Sequence, residues 1–308
     1  MPKAYVFTRY GGPETEALVE VDRPVPGPGQ ILVAVRVASV NPIDWKLRTG
    51  YRRPTDSGEP VFPTVFGSEV SGVVEQIGAD VDGFAVGDEV FGNTAAGGYA
   101  EYALLPAALT AHKPAGLSFA DAATLPVAAA TAYDGVRQLD LPSGATLLVT
   151  GAGGGVGAAA VQIARADGVQ VLGVASEGKK DFVESLGAVH VPSGPGWTER
   201  AAAAAPDGVD GVYDLVGGAV LAEAAQLLTD RTKLITAGAP PEVVAELGGA
   251  RVARARTTAV LDALARLVVN GGLDPHVIRR FPLDEAGEAL RTVEEGHARG
   301  KVVIEVAR

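Results

Sequence analysis

The hydrophobic and polar positions change rhythm part-way along the chain. In the first third they predict short β-strands: 30–40 (QILVAVRVASV), 69–78 (EVSGVVEQIG) and 87–92 (GDEVFG), set off by glycine and proline turns. From Ser118 the pattern becomes alanine-rich and helical, with Ser118 and Asp121 placed to start the helix and Pro126 to break it. Strands then alternate with helices. Strands are expected at 145–150, 169–176, 209–217 and 233–238, and helices near 156–167, 181–188, 220–228 and 256–271. This alternation predicts a parallel sheet covered on both faces. The tail 301–306 (KVVIEV) reads as a strand that returns to the first domain. The alanine run at 201–205 is read as compositional bias and is given no function.

Composition narrows the function classes. The chain has 308 residues, 47% hydrophobic, enough for one large or two medium domains. Its net charge of −11 disfavours nucleic acid and anionic membranes. It has no cysteine, so disulfides, thiolate metal sites and a cysteine nucleophile are excluded. Its four histidines show no metal-ligand spacing. No signal peptide or membrane helix is apparent, and a cytoplasmic protein is expected.

The stretch 145–157 (ATLLVTGAGGGVG) carries the chemistry. A strand runs straight into glycines and a helix follows, the context of a dinucleotide site. Ala152, Gly154 and Gly157 take the three fingerprint positions, with alanine for the first glycine. Gly151, Gly155 and Val156 complete the turn that approaches a pyrophosphate at the helix N-terminus. At the end of the next strand an NAD site carries an acid. Here Ser176 stands there, followed by Lys179 and Lys180, which favours NADPH. Glu177 is a contrary sign, and the lysines also suit a solvated helix start.

The segments 37–50, 62–78, 86–92, 97–106, 122–136, 151–164, 213–218 and 300–306 follow one another in an order that resembles the zeta-crystallin-like quinone oxidoreductases. These form a branch of the medium-chain dehydrogenase/reductase superfamily. The resemblance implies an α/β protein: a Rossmann doubly wound parallel sheet at 123–268, and a partly open GroES-like β-barrel built from 1–122 and 269–308. It also implies an active-site cleft between them, NADPH as cofactor and a homodimer. Zinc-dependent relatives carry cysteine at Asn41 and histidine at Ser68, so no metal is expected. The implied activity is hydride transfer to quinones or α,β-unsaturated carbonyls. An enoyl reductase acting on thioester or polyketide-like substrates and a non-catalytic NADPH-binding redox sensor are the alternatives.

The resemblance also assigns residues. Asn41, Asp44 and Thr131 match positions lining the nicotinamide side of the cleft, and Tyr51 falls near a substrate-pocket tyrosine; for the developing oxyanion, Asn41, Tyr51 or a water are the candidate donors. Ser176 and Lys180 would hold the 2′-phosphate. A tyrosine that commonly joins them is missing, and Arg299 or Lys301 would supply a replacement charge. Val216, Ala237 and Ala239 meet the nicotinamide. Plainer roles stay open: an Asx-type turn for Asn41 and Asp44, a surface aromatic for Tyr51, a self-bonded helix residue for Thr131, solvated side chains for Arg299 and Lys301. The stretch 231–240 is expected to be the outermost strand of the Rossmann sheet and the seam of the dimer.

Overall fold

The computed structural model describes residues 1–52, 61–296 and 298–306. The first elements are β1 (Lys3–Phe7), β2 (Glu16–Glu20), β3 (Gln30–Ser39), α1 (Pro42–Arg48), β4 (Thr64–Val65), β5 (Glu69–Ile77), β6 (Glu89–Asn93), β7 (Tyr102–Pro106), β8 (Thr110–His112) and α2 (Phe119–Ala122). Next come α3 (Ala130–Leu139), β9 (Thr146–Thr150), α4 (Gly155–Ala166), β10 (Gln170–Ala175), α5 (Lys180–Ser185), β11 (Val189–Pro192), α6 (Trp197–Ala204), β12 (Gly211–Asp214), α7 (Gly218–Ala225), β13 (Leu234–Thr236), α8 (Pro241–Glu246) and β14 (Ala250–Arg251). The chain closes with α9 (Thr258–Val269), β15 (Val277–Pro282), α10 (Ala286–Glu294) and β16 (Lys301–Glu305). Around Pro126 the helix widens into a π-helical turn, Leu125–Ala129, rather than stopping. The alanine run 201–205 begins inside α6, where Ala201 is buried against the sheet.

The described residues fall into two compact units, 1–127 with 256–269 and 276–308, and 128–255 with 270–275. The sequence expectation put 256–268 with the nucleotide-binding half. The structure instead groups α9 with the first unit, where the Thr258 hydroxyl donates to the carbonyl of Thr110 at 2.9 Å. Periodicity shows that a helix forms but not which sheet covers its apolar stripe.

In the first unit β3 is the organising strand. One side pairs with β5; the other pairs with β7 along Gln30–Ala34 and with β16 along Val37–Ser39. Register shifts at Leu32/Val33 and Val35/Val37 bend the strand. Bulges of this kind increase twist and curl a sheet toward closure. The inward row Ile31, Val33 and Val35 meets Val70, Val74, Val90, Leu105 and Ile304 in the core. A three-stranded sheet, β2-β1-β4, lies in the same unit.

The second unit holds one parallel sheet in the order β11-β10-β9-β12-β13-β14. The chain starts in the middle at β9, runs outward through β10 and β11, then crosses to β12 and runs outward again. Such an order leaves a crevice beyond the carboxyl ends of the two central strands, β9 and β12. The buried side chains of Leu147, Leu148 and Val212 give these strands the continuous apolar character of a sheet covered on both faces. The stretch 231–240 is not the outermost strand: β14 pairs with β13 at Ile235↔Ala250 and Thr236↔Arg251. Two residues with exposed side chains, beside glycines, give no alternating pattern from which to read an edge strand.

Candidate active and cofactor site

The glycine turn occupies the carboxyl end of β9. Gly151 has φ +69°, a left-handed conformation that glycine adopts without strain. A Cβ on Gly157 would overlap the carbonyl oxygen of Gly151 and the backbone of Ala152, so only glycine lets α4 start this close to the strand. Ala152 replaces the first fingerprint glycine at no cost. It is fully buried and its N–H donates to Val174 at 3.1 Å. Gly173, on the neighbouring strand, leaves room for its methyl. Gly154 precedes α4, and Gly155 and Val156 open it, so the free N–H groups of a 12-residue helix sit at the turn. These features fit a dinucleotide pyrophosphate.

The opposite wall of the crevice is built around Asp214, which is fully buried at the end of β12. Its carboxylate accepts from the hydroxyls of Thr150 (2.7 Å) and Thr236 (2.6 Å) and from the N–H groups of Val216 and Gly217. The strands therefore end earlier than their apolar runs do, and residues 215–217 become a bound loop. The loop brings Val216, 52% exposed, against Gly151. Ala237 is half-buried and donates its N–H to the carbonyl of Asp214. Ala239 belongs to the apolar core with Val244 and Leu221, so its side chain is not available to a cofactor.

Ser176 and Lys180 are both exposed at the end of β10. Lys179 is the cation that turns back. Its methylenes lie over Gly153, and its ammonium is 3.3 Å from the carbonyl oxygen of Gly153. Lys179 rather than Lys180 lies over the glycine turn, because Glu177–Lys179 forms a tight helical turn that points successive side chains apart. Thr131 is nearly buried in α3. Its hydroxyl oxygen accepts from Arg254 at 2.6 Å and its carbonyl accepts from the Tyr213 hydroxyl at 2.7 Å. Arg254 also donates to Asp134 at 3.0 Å. Neither Arg254 nor Asp134 belongs to a motif, and only tertiary packing connects them.

In the first unit the site residues cluster where β3 enters α1. The Asn41 carboxamide donates to Glu69 Oε1 at 2.7 Å and accepts from the Lys301 ammonium at 2.7 Å. Lys301 also donates to the carbonyl of Val40 (3.2 Å) and to Glu69 (3.3 Å), and the second Glu69 oxygen accepts from the Val127 N–H at 2.6 Å. All three side chains are buried. Lys301 is therefore committed to this network and is not a replacement phosphate ligand; Arg299 is exposed.

Asp44, the third residue of α1, is fully buried and does not line an open surface as expected. It accepts from the Asn41 N–H (2.8 Å), the Tyr99 hydroxyl (2.9 Å) and the Ser68 hydroxyl (3.1 Å). Burial pushes its carboxyl up to about 6, the negative charge of Glu69 adds to that shift, and the three donors hold it back. The same burial, with Asp44 beside it, raises the Tyr99 phenol well above its ordinary value. Tyr51 is 43% exposed, and the remainder of its loop, 53–60, lies outside the described residues.

These residues do not fit zinc. The positions of the zinc-dependent relatives' cysteine and histidine hold a carboxamide tied to Lys301 and a hydroxyl tied to Asp44. An ammonium already neutralises Glu69. Among the described residues no group of three histidines, aspartates or glutamates is gathered to bind a metal ion. None of the described helices is long and apolar enough to cross a membrane.

Comparison with known proteins agrees with the fold of the two units. Residues 27–115 match the model of the alcohol dehydrogenase GroES-like domain, and residues 186–304 match that of the zinc-binding dehydrogenase family. The chain is 33% identical to 2-methylene-furan-3-one reductase of Solanum lycopersicum over 317 residues, covering 98% of this chain and 78% of that protein. It is 32% identical to the NADPH-dependent alkenal/one oxidoreductase of Arabidopsis thaliana, covering 98% and 79%. The quinone oxidoreductase of Coxiella burnetii superposes with a TM-score of 0.89 at 31% identity, covering 99% of both chains. The chain belongs to the medium-chain dehydrogenase/reductase superfamily, in its quinone-oxidoreductase branch, with a GroES-like domain and a Rossmann sheet.

Proposed function

We propose that the protein is an NADPH-dependent reductase that passes hydride to quinones or α,β-unsaturated carbonyls without zinc. The observation that carries this reading is the glycine turn with Lys179 laid across it and Ser176, not an acid, at the end of β10. A carboxylate at that end would hold a ribose diol and repel a phosphate; a hydroxyl and an ammonium favour the phosphate. The names of the tomato, Arabidopsis and Coxiella relatives, 2-methylene-furan-3-one reductase, NADPH-dependent alkenal/one oxidoreductase and quinone oxidoreductase, point the same way.

Bound NADPH supplies the hydride. The chain would hold the pyrophosphate at the start of α4, the 2′-phosphate at Ser176 and Lys179, and the nicotinamide end by the 215–217 loop, which is fastened to Asp214. An acceptor already activated by conjugation needs no Lewis acid, only a donor for the oxygen that becomes negative. Asn41 is held in one orientation by Lys301 and Glu69 and is suited to that task.

The direct test is NADPH oxidation by the purified protein with a quinone and with an enone, with NADH as control and after dialysis against a chelator. Turnover with NADPH that survives chelation is expected. NADPH binding without turnover of any acceptor would make the protein a sensor. Turnover confined to enoyl thioesters would make it an enoyl reductase. A homodimer joined along the outer edge of β14 belongs to the same reading, since that short edge is exposed.

A further inference from the structure

His190 is a titratable side chain that none of the binding roles uses. It lies half-buried in β11 and pairs in register with Gly173 of β10. Its ring does not stay over Gly173. It leans along the sheet by two residues, and Nε2 lies 3.1 Å from the carbonyl oxygen of Ala175. The same carbonyl accepts the Ser193 N–H at 2.8 Å, so the carboxyl ends of β10 and β11 are tied together there. A carbonyl only accepts, so Nε2 carries a hydrogen and Nδ1 is the nitrogen that gains or loses one. The residue after Ala175 is Ser176, and Lys179 follows one turn later. A hydroxyl, an ammonium and an imidazole thus gather at the carboxyl end of β10, all within the second unit.

We propose that His190 is a third recognition group for the cofactor's 2′-phosphate, charged only when its ring is protonated, so that the preference for NADPH over NADH strengthens as pH falls. This rests on the reductase reading above, which puts the 2′-phosphate at Ser176 and Lys179. A lysine there is a permanent cation, whereas an imidazole changes charge between about pH 5 and 8. Protonation at Nδ1 leaves the Nε2 bond to Ala175 in place, so the ring gains charge without changing its position. Linkage makes the effect reciprocal: a phosphate that binds the charged ring better strengthens the ring's hold on its proton.

The surroundings fit this role. Val191 packs with Trp197 and Ala201 of α6, so strand alternation turns His190 to the opposite face of β11. β10 brings no ionisable side chain. The turn after it brings Glu177 and Lys179, and α5 brings Lys180, Asp181 and Glu184, all three exposed. On α6 the guanidinium of Arg200 is spent on the carbonyls of Pro192, Gly194 and Pro195, and Glu199 accepts from the Thr198 hydroxyl. Arg165 lies over Gly187, before the other end of β11. Glu177, next to Ser176, opposes a phosphate at this end, and a charged ring offsets it.

The test combines proton NMR of the histidine Cε1–H signals with fluorescence titration, both on the full chain. The NMR probes are adenosine 2′,5′-bisphosphate and 5′-AMP, which differ only in the 2′-phosphate. The chain has four histidines, and the signal absent from His190→Gln is that of His190. With saturating bisphosphate its titration midpoint should rise by about half a pH unit or more, the counterpart of about a threefold gain in affinity. With 5′-AMP it should stay. The glutamine amide can keep the bond to Ala175 but takes no proton. The Kd for NADPH should therefore match in wild type and His190→Gln at pH 8.5, and be about threefold or more weaker in the variant at pH 6.0. Comparison at one pH cancels the titration of the phosphate itself. NADH should show no such difference at either pH. An unmoved His190 midpoint with bisphosphate, or the same variant-to-wild-type ratio at pH 6.0 and 8.5, overturns the role. If His190→Gln fails to fold, His112→Gln, His276→Gln and His297→Gln assign the signal by elimination and the midpoint decides. A preference for NADPH that ignores pH defeats His190 alone, whereas equal affinity for NADPH and NADH at every pH defeats the cofactor reading itself.

Discussion

The ammonium of Lys301 lies 2.7 Å from the carboxamide oxygen of Asn41, joining two residues 260 positions apart in the chain. The contact orients a side chain at the start of α1 by means of the last described strand. It also matches the positive charge of Lys301 with the fully buried carboxylate of Glu69.

Lys301→Met is expected to destabilise the first unit by about 3–5 kcal/mol, because it strands Glu69 without its cation in a dry interior. Adding Glu69→Gln should recover much of the loss. Urea denaturation of the single and double variants measures both, and equal losses in the two would show that packing of the lysine stem dominates.

Lys179→Ala is expected to raise the KM for NADPH by about tenfold or more, the value of a charge-assisted hydrogen bond to phosphate. NADH kinetics should barely change. Lys180→Ala should do little with either cofactor, since Lys180 is exposed and it is Lys179 that lies over Gly153. A larger NADPH effect at Lys180 than at Lys179 would reverse the assignment.

Gly157→Ala should abolish NADPH binding in a fluorescence titration and cost about 1–3 kcal/mol of stability, because its methyl would overlap the Gly151 carbonyl and force α4 off β9. Gly178→Ala, where a methyl would meet open space, is the matched control.

Asp44 should make stability fall as pH rises from about 4 to 6. Its folded carboxyl is raised to about 6, above an unfolded value near the ordinary 3.8, so in that window the folded state holds a proton that the unfolded chain has released. The shift corresponds to roughly 3 kcal/mol lost across the window. The difference between wild type and Asp44→Asn in denaturation at pH 4.0 and 7.0 isolates this contribution. A difference that does not depend on pH would place Asp44's ionisation in the ordinary range.

Arg251→Pro should convert the proposed dimer to monomers in light scattering. The Val252 N–H points inward to Thr236, so the alternation of a parallel strand turns that of Arg251 outward. A wild type that is monomeric at micromolar concentration would remove the β14 seam.

Much of this architecture was legible along the chain. Alternating strands and helices follow from local periodicity, and the Gly151–Gly157 turn follows from backbone geometry that few residues tolerate. The replacement of an acid by Ser176 and of cysteine and histidine by Asn41 and Ser68 needed only the positions of those residues. Choices between near neighbours were settled elsewhere. Lys179 rather than Lys180 reaches the glycine turn because of how one helical turn is wound against Gly153. Lys301 is a buried partner of Asn41 and Glu69 because β16 docks beside β3. Helix 258–269 joins the first unit, and β14 rather than β13 forms the edge, because distant surfaces compete for the same apolar stripe or strand. The proton affinity of Asp44 belongs wholly to the tertiary structure: an aspartate three residues into a helix is an ordinary cap until burial removes water from its charge.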